Sequence, residues 1–242
     1  NFDNSAATPV LKPVLAAVNE FLEVYANVHR GQSWKSVIST HAYDEAHERV
    51  ARFVGADPRT NTVILAKNTT SAINRIARRF PFRAGDRVRV PLMEHHSNDL
   101  PWRAQAAVEH VDLDPDGALD VNDLERRLRR LGGRARVVAI SGGSNVTGVL
   151  NPIHRIARLA HQYGTKIVVD AAQLAPHRAI DMKPDDDPEH RRRRTEAACD
   201  APCGGPHRRR PPPPPPRLYP PPLRPPMLLA PRELLDRAPA PS

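Results

Sequence analysis

The chain has 242 residues, enough for one sizeable core or two small ones. Its net charge of +9 is unevenly held: residues 191–242 carry 11 Arg and 4 acidic residues, so residues 1–190 hold only +2 and read as an ordinary soluble domain. Two late cysteines, Cys199 and Cys203, exclude a disulfide framework and suit a reducing, cytoplasmic setting, and the absence of any run of about 18 apolar residues excludes a membrane-spanning helix.

Asn1 to Pro9 is polar and small, too irregular for an element, and it starts without a methionine, which is compatible with a removed leader. Val10, Val14, Val18, Phe21 and Leu22 then recur at helical spacing over Val10 to Tyr25, with Pro13 tolerable in the first turn. Ala26 to Gly31 breaks that pattern, and taken alone its His29 and Arg30 belong to a solvated loop. A second amphipathic helix spans Ser36 to Val54 and is closed by Gly55. Thr62 to Ala66 reads as a short strand, followed at once by Asn68-Thr69-Thr70-Ser71 and a helical run from Ala72 to Arg79. Hydroxyls and free N–H groups at a helix start make an anion site, and equally an ordinary cap.

Arg87 to Pro91 is the next strand, and Met93-Glu94-His95-His96-Ser97-Asn98 follows it. Adjacent histidines point apart and have no evident third ligand, so a metal centre is not expected. Ala107 to Leu113 gives a third strand, Asp114 to Gly117 a turn, and Asp120 to Leu131 an Arg-rich surface helix. Ala135 to Ser141 is a fourth strand, ending in Gly142-Gly143-Ser144-Asn145-Val146-Thr147-Gly148, where the glycine spacing does not fit a dinucleotide fingerprint. A helix over Ile153 to Tyr163 and Gly164 as its stop precede the strand Lys166 to Asp170. This rhythm of helix, turn and apolar strand predicts an α/β fold with a mostly parallel sheet, whose ligands sit beyond the carboxyl ends of the strands. Asp170 lies at such an end, suited to charge-pair with a protonated ring nitrogen or simply to cap the next segment.

Five stretches carry a resemblance. Asp170-Ala171-Ala172-Gln173 with Pro176-His177, the opening N-F-D-N-S-A-A-T, the N-x-H-R-G of Asn27 to Gly31, the E-H-H-x-N-x-x-P-W of Glu94 to Trp102, and the S-N-x-x-G of Ser144 to Gly148 look like class V aminotransferases. These are fold-type-I pyridoxal-phosphate (PLP) enzymes that include cysteine desulfurases, and the resemblance covers residues 1–190. It implies the three-layer α/β/α large domain of the PLP-dependent transferases, with sheet order 3-2-4-5-6-7-1, a homodimer and a small amino-acid substrate. It also implies that Asp170 pairs with the pyridine nitrogen, His95 stacks on the ring, and Thr69 and Thr70 hold the phosphate. Asn145 and Gln173 would tune the ring oxygen, and His29 and Arg30 would lie near the active site and the subunit interface.

The resemblance stops near His190. The family then has a further strand and a His-Lys pair, whose Schiff-base lysine should fall roughly 25 to 30 residues after Asp170. Arg191 to Ala198 reads R-R-R-R-T-E-A-A instead, and no lysine follows Lys183, itself only 13 residues past Asp170. Sixteen of the last 52 residues are proline, six of them consecutive (Pro211 to Pro216), so residues 191–242 read as a disordered or polyproline tail, for which a frameshift or mis-joined reading frame near His190 is the expected origin. The spacing of Cys199, Cys203 and His207 is a chance likeness to a zinc site. Candidates exist for strands 1 to 5 only, so the sheet is expected to be incomplete. Two missing strands would leave a gap of roughly 14 Å between the strands leading to Asp170 and Thr70.

The functional expectation is thus PLP chemistry of the cysteine desulfurase type, inactive in this chain, with the reaction within class V left open. The competing reading is a non-catalytic module whose basic, proline-rich tail contacts RNA, acidic surfaces or SH3-type partners. Tyr219 is the tail's one aromatic, which gives nucleic-acid bases little to stack on.

Overall fold

The computed structural model describes residues 9–57 and 59–182, and the backbone of residues 227–231. Four strands, β2 (Arg87–Pro91), β3 (Ala107–Val111), β4 (Ala135–Ser141) and β5 (Lys166–Asp170), form one parallel sheet in the order β3-β2-β4-β5. That is the order the resemblance implies for strands 2 to 5. The central strand β4 reads A-R-V-V-A-I-S, a continuous apolar run of the kind needed where both faces are covered.

Its side chains alternate between two cores, as the strand period of two requires. Val138 and Ile140 pack with Leu124 and Leu128 of α5 (Val121–Leu131) and with Ile156 and Ala160 of α6 (Ile153–Gln162). Val137 and Ala139 pack on the other side with Ile73 and Ala77 of α3 (Thr69–Arg79) and Trp102 of α4 (Leu100–Arg103). Helices on both faces of a parallel sheet give the three layers. Asp120 caps α5 by accepting from the N–H groups of Asn122 and Asp123, and Gly132 ends that helix in the left-handed region at φ 49°.

The N-terminal helices stand apart from this core. α1 (Lys12–Val24) buries no residue, whereas α2 (Trp34–Phe53) buries Ser36, Ser39 and Ala51. Ala51 joins Val54 and Ala56 in a small cluster against which Val63 of β1 (Asn61–Leu65) packs.

β1 is not part of the four-stranded sheet. It pairs antiparallel with β6 (Met227–Pro231), Val63 opposite Leu229 and Leu65 opposite Met227. Among the described residues β5 pairs with β4 alone, so its outer edge has no strand partner. The expectation that the tail supplies no element needs correction at residues 227–231. Met227 to Ala230 is the tail's one run of four apolar residues without proline, long enough to complete a ladder, and Pro231 sits at its last position, where a missing donor is tolerated. The remainder of the tail, with Cys199, Cys203 and His207, lies outside the described residues, as do Asn1 to Thr8 and Lys183. No described helix is long and apolar enough to cross a membrane.

Candidate functional site

The carboxyl ends of β2, β4 and β5 come together at one edge of the sheet. Asp170, the last residue of β5, stands in register with Ser141, the last of β4. Its carbonyl accepts from Gly142 N at 2.8 Å, and its carboxylate Oδ1 accepts from Ala172 N at 3.0 Å. The capping role that the sequence allowed for this residue is therefore real. It uses one carboxylate oxygen, and among the described residues Oδ2 receives no hydrogen bond. Asp170 is only 7% exposed. Burial pushes its proton affinity above the ordinary carboxylate range, against the Ala172 N–H and the charge of His95, which pull it down.

Gly142 makes this geometry possible. A Cβ at that position would lie 2.8 Å from Leu174 Cδ2 and 3.2 Å from Ile153 Cδ1, so a larger residue there would have to displace Leu174 where the turn after β5 closes onto the end of β4.

The loop leaving β2 carries Glu94 and His95. His95 Nδ1 accepts from Ser97 N at 3.1 Å, which starts a single 3₁₀ turn over His96–Asn98. The ring itself is exposed. Thr70 Oγ1 lies 2.7 Å from Ser97 Oγ, a hydroxyl pair that ties the start of α3 to this loop. The cap of α3 is Asn68, whose side chain accepts from Ser71 N at 2.7 Å. The helix accordingly begins at Thr69, three residues before the sequence reading placed it, and the N–H groups of Thr69 and Thr70 are left in its unpaired first turn.

Glu94 is the residue that the sequence reading passed over. Its carboxylate accepts from Ser141 N, from Ser141 Oγ at 2.7 Å and from Asn98 Nδ2 at 2.8 Å. Burial raises its proton affinity and so does the neighbouring charge of Asp170, while the Ser141 and Asn98 donors lower it. Asn151, which is buried, donates to Ser141 O at 2.8 Å and accepts from Leu119 N, fixing the end of β4 from the other side. An acidic residue at a strand exit followed by an amide four residues on was the only sequence trace of this network.

The sequence-derived residues thus divide into three groups. Thr70 and His95 are linked through Ser97, Asp170 stands near enough to His95 to be influenced by its charge, and Thr69 is next in line on α3. Asn145 is exposed in a turn built on Ser144, whose Oγ accepts from Val146 N and Thr147 N, and Gln173 is half-buried in the turn after Asp170. His29 and exposed Arg30 lie between α1 and α2: His29 adopts φ 55°, donates its N–H to Thr40 Oγ1 at 2.9 Å and approaches Asp44 at 3.4 Å. Those contacts tie the loop to α2.

This edge also fits PLP by the chemistry of its donors. A buried carboxylate with a free oxygen matches a cationic ring nitrogen, and a helix start with two hydroxyls and unpaired N–H groups matches a phosphate. The aminotransferase class-V family model matches residues 1–185. The chain belongs to that family. Within it, the chain is 34% identical over 190 residues to a probable cysteine desulfurase of Halalkalibacterium halodurans, covering 75% of this chain and 46% of that protein. It is 37% identical over 191 residues to a probable cysteine desulfurase of Synechocystis, covering 75% and 44%. The apo cysteine desulfurase of Thermococcus onnurineus superposes with a TM-score of 0.68 at 34% identity, over 74% of this chain and 46% of that one. The chain thus spans a little under half the length of these class-V relatives.

Proposed function

We propose that residues 1–190 supply the ring- and phosphate-binding part of a PLP site of the cysteine desulfurase type. The chain as it stands then holds the cofactor without covalent attachment and turns over no amino acid. The observation that carries this reading is Asp170: a carboxylate almost fully buried at the end of a parallel strand, with one oxygen unpaired and His95 beside it. Burying such a charge is unfavourable unless a cationic partner arrives, and a pyridinium nitrogen is one.

When bound, PLP supplies an electron sink for chemistry at the Cα of an amino acid, which the relatives' name identifies as cysteine. Asp170 keeps the proton on the ring nitrogen. His95 presents its exposed ring as a stacking surface. Thr69 and Thr70 offer hydroxyls and first-turn N–H groups to the phosphate. Asn145 and Gln173, each one turn beyond a strand end, take the ring oxygen. The lysine that would attach the cofactor is missing from its expected place: Thr195 to Asp200 stand 25 to 30 residues after Asp170, and none is lysine.

Equilibrium titration with PLP, read by cofactor absorbance, tests the pocket. Asp170→Ala should weaken binding roughly ten-fold or more, the worth of a charge-assisted hydrogen bond. Equal affinity of the two proteins overturns the assignment. Borohydride treatment with PLP and peptide mapping test the missing attachment: no lysine should carry a stoichiometric pyridoxyl group.

A further inference from the structure

We infer that Glu94 is a positioning residue for the ring-binding end of the sheet: it clamps the His95 loop to the end of β4, and its carboxylate, when ionised, adds to the charge of Asp170 in favouring a protonated ring nitrogen. The inference rests on the PLP reading above and assigns a role to a residue outside the direct contacts of that reading.

The geometry shows both halves of the role. Glu94 precedes His95 directly, and its two oxygens take two donors from Ser141 and one from Asn98. Ser141 is the register partner of Asp170, so one carboxylate pins the loop carrying the stacking ring to the strand beside the ring-nitrogen partner. Asn98 in turn accepts from Trp102 Nε1 at 3.4 Å, so the clamp continues into the core beneath α4. A structural clamp does not need a charge. Glu94 can nevertheless act as one, because all three of its hydrogen bonds are donated to it, which favours the ionised carboxylate and opposes the burial that disfavours it.

Two carboxylates then share one strand end, and the charge facing Glu94 is that of Asp170 from β5. Like charges so placed repel, and the repulsion is relieved by a cation. A ligand that brings a protonated nitrogen gains from both groups, and a ligand of the same shape without that nitrogen gains from neither.

The probe pair is therefore PLP and 1-deaza-PLP, in which carbon replaces the ring nitrogen, each titrated into the full chain. Wild type should prefer PLP by roughly ten-fold or more. Glu94→Gln, which keeps the shape but not the charge, should cut that preference by about three-fold or more, the effect of one nearby charge in a partly screened site. Glu94→Asp, which keeps the charge but shortens the clamp, should weaken both ligands by a similar factor and leave the preference intact. If Glu94→Gln also weakens both ligands equally, Glu94 is structural only and the inference fails.

Asp170→Ala separates this failure from that of the PLP reading. If it erases the preference while Glu94→Gln does not, only the Glu94 inference falls. If wild type has no preference, both fall. Should Glu94→Gln not fold, Ser141→Ala decides. That variant strips one donor from Glu94 without removing the charge, and it should raise the pH at which the preference is lost on acidification. An unchanged pH profile overturns the inference.

Discussion

Replacing Gly142 by alanine adds one methyl group at the tightest point of the candidate site. The new Cβ would stand 2.8 Å from Leu174 Cδ2, 3.2 Å from Ile153 Cδ1 and 3.3 Å from Leu174 Cβ, where about 3.5–4.0 Å is optimal for carbon pairs. Leu174 is 8% exposed and cannot swing into solvent without giving up its burial. Overpacking of this kind costs about 1–3 kcal/mol, which for a chain of this size lowers the melting temperature by about 2–12 °C. Because Leu174 belongs to the turn whose Ala172 N–H holds the Asp170 carboxylate, the same displacement should weaken PLP binding by several-fold. The decisive assay is a double-mutant cycle with Leu174→Ala, followed by urea unfolding and PLP titration. Leu174→Ala alone should cost about 2–5 kcal/mol, and the double variant should cost at least 0.5 kcal/mol less than the two single costs combined, because the smaller side chain makes room for the methyl group. Additive costs, or a Gly142→Ala protein as stable as wild type, would show that the turn does not close on β4 as described.

Asp170→Asn should stabilise the fold at neutral pH while it weakens PLP binding. Burial holds the folded-state proton affinity of Asp170 above its unfolded value, so its contribution to stability rises as pH falls through the folded pKa towards the ordinary carboxylate range and is lost above it. The asparagine variant should therefore lose stability less steeply with rising pH, and parallel melting curves between pH 5 and 8 would refute this. Glu109→Ala should cost about 3–5 kcal/mol in denaturant unfolding, because it leaves fully buried Arg89 without its carboxylate partner; a change below 1 kcal/mol would contradict that pairing. Leu229→Pro should speed amide exchange at Val63 to Leu65, its ladder partners, and leave Val137 to Ile140 protected. Unaltered exchange in β1 would mean that the tail strand is not seated there.

Elements whose character is local were legible in the sequence. β2 and β4 run over the residues expected, Arg87 to Pro91 and Ala135 to Ser141, because their apolar runs are bounded by turn residues. β3 stops two residues early, at Val111, because Asp112 gives its N–H to the Asp123 side chain and not to a neighbouring strand. Thr70, His95 and Asp170 could be singled out from short motifs, and the fold brings them to one edge. Glu94 could not be weighted the same way. Its partner Ser141 is 47 residues away, and no periodicity marks a hydrogen bond across that distance. β6 was hidden for a different reason: four apolar residues were outvoted by the prolines around them.

The pairing of β1 with β6 has a consequence for how the chain is made. β2 to β5 are complete once Asp170 has been synthesised, but Leu65 must wait for Met227, 162 residues later in the sequence. At about 5–20 residues per second, that interval is on the order of 10–30 s. Throughout it, Thr62 to Leu65 leaves the ribosome with its backbone donors and acceptors unclaimed, directly upstream of the threonines assigned to the phosphate. A nascent chain of this design has its four-stranded sheet early, with α3 packed on it, and the strand leading into α3 paired late. Slowing translation of the proline-rich stretch would lengthen that exposure in proportion.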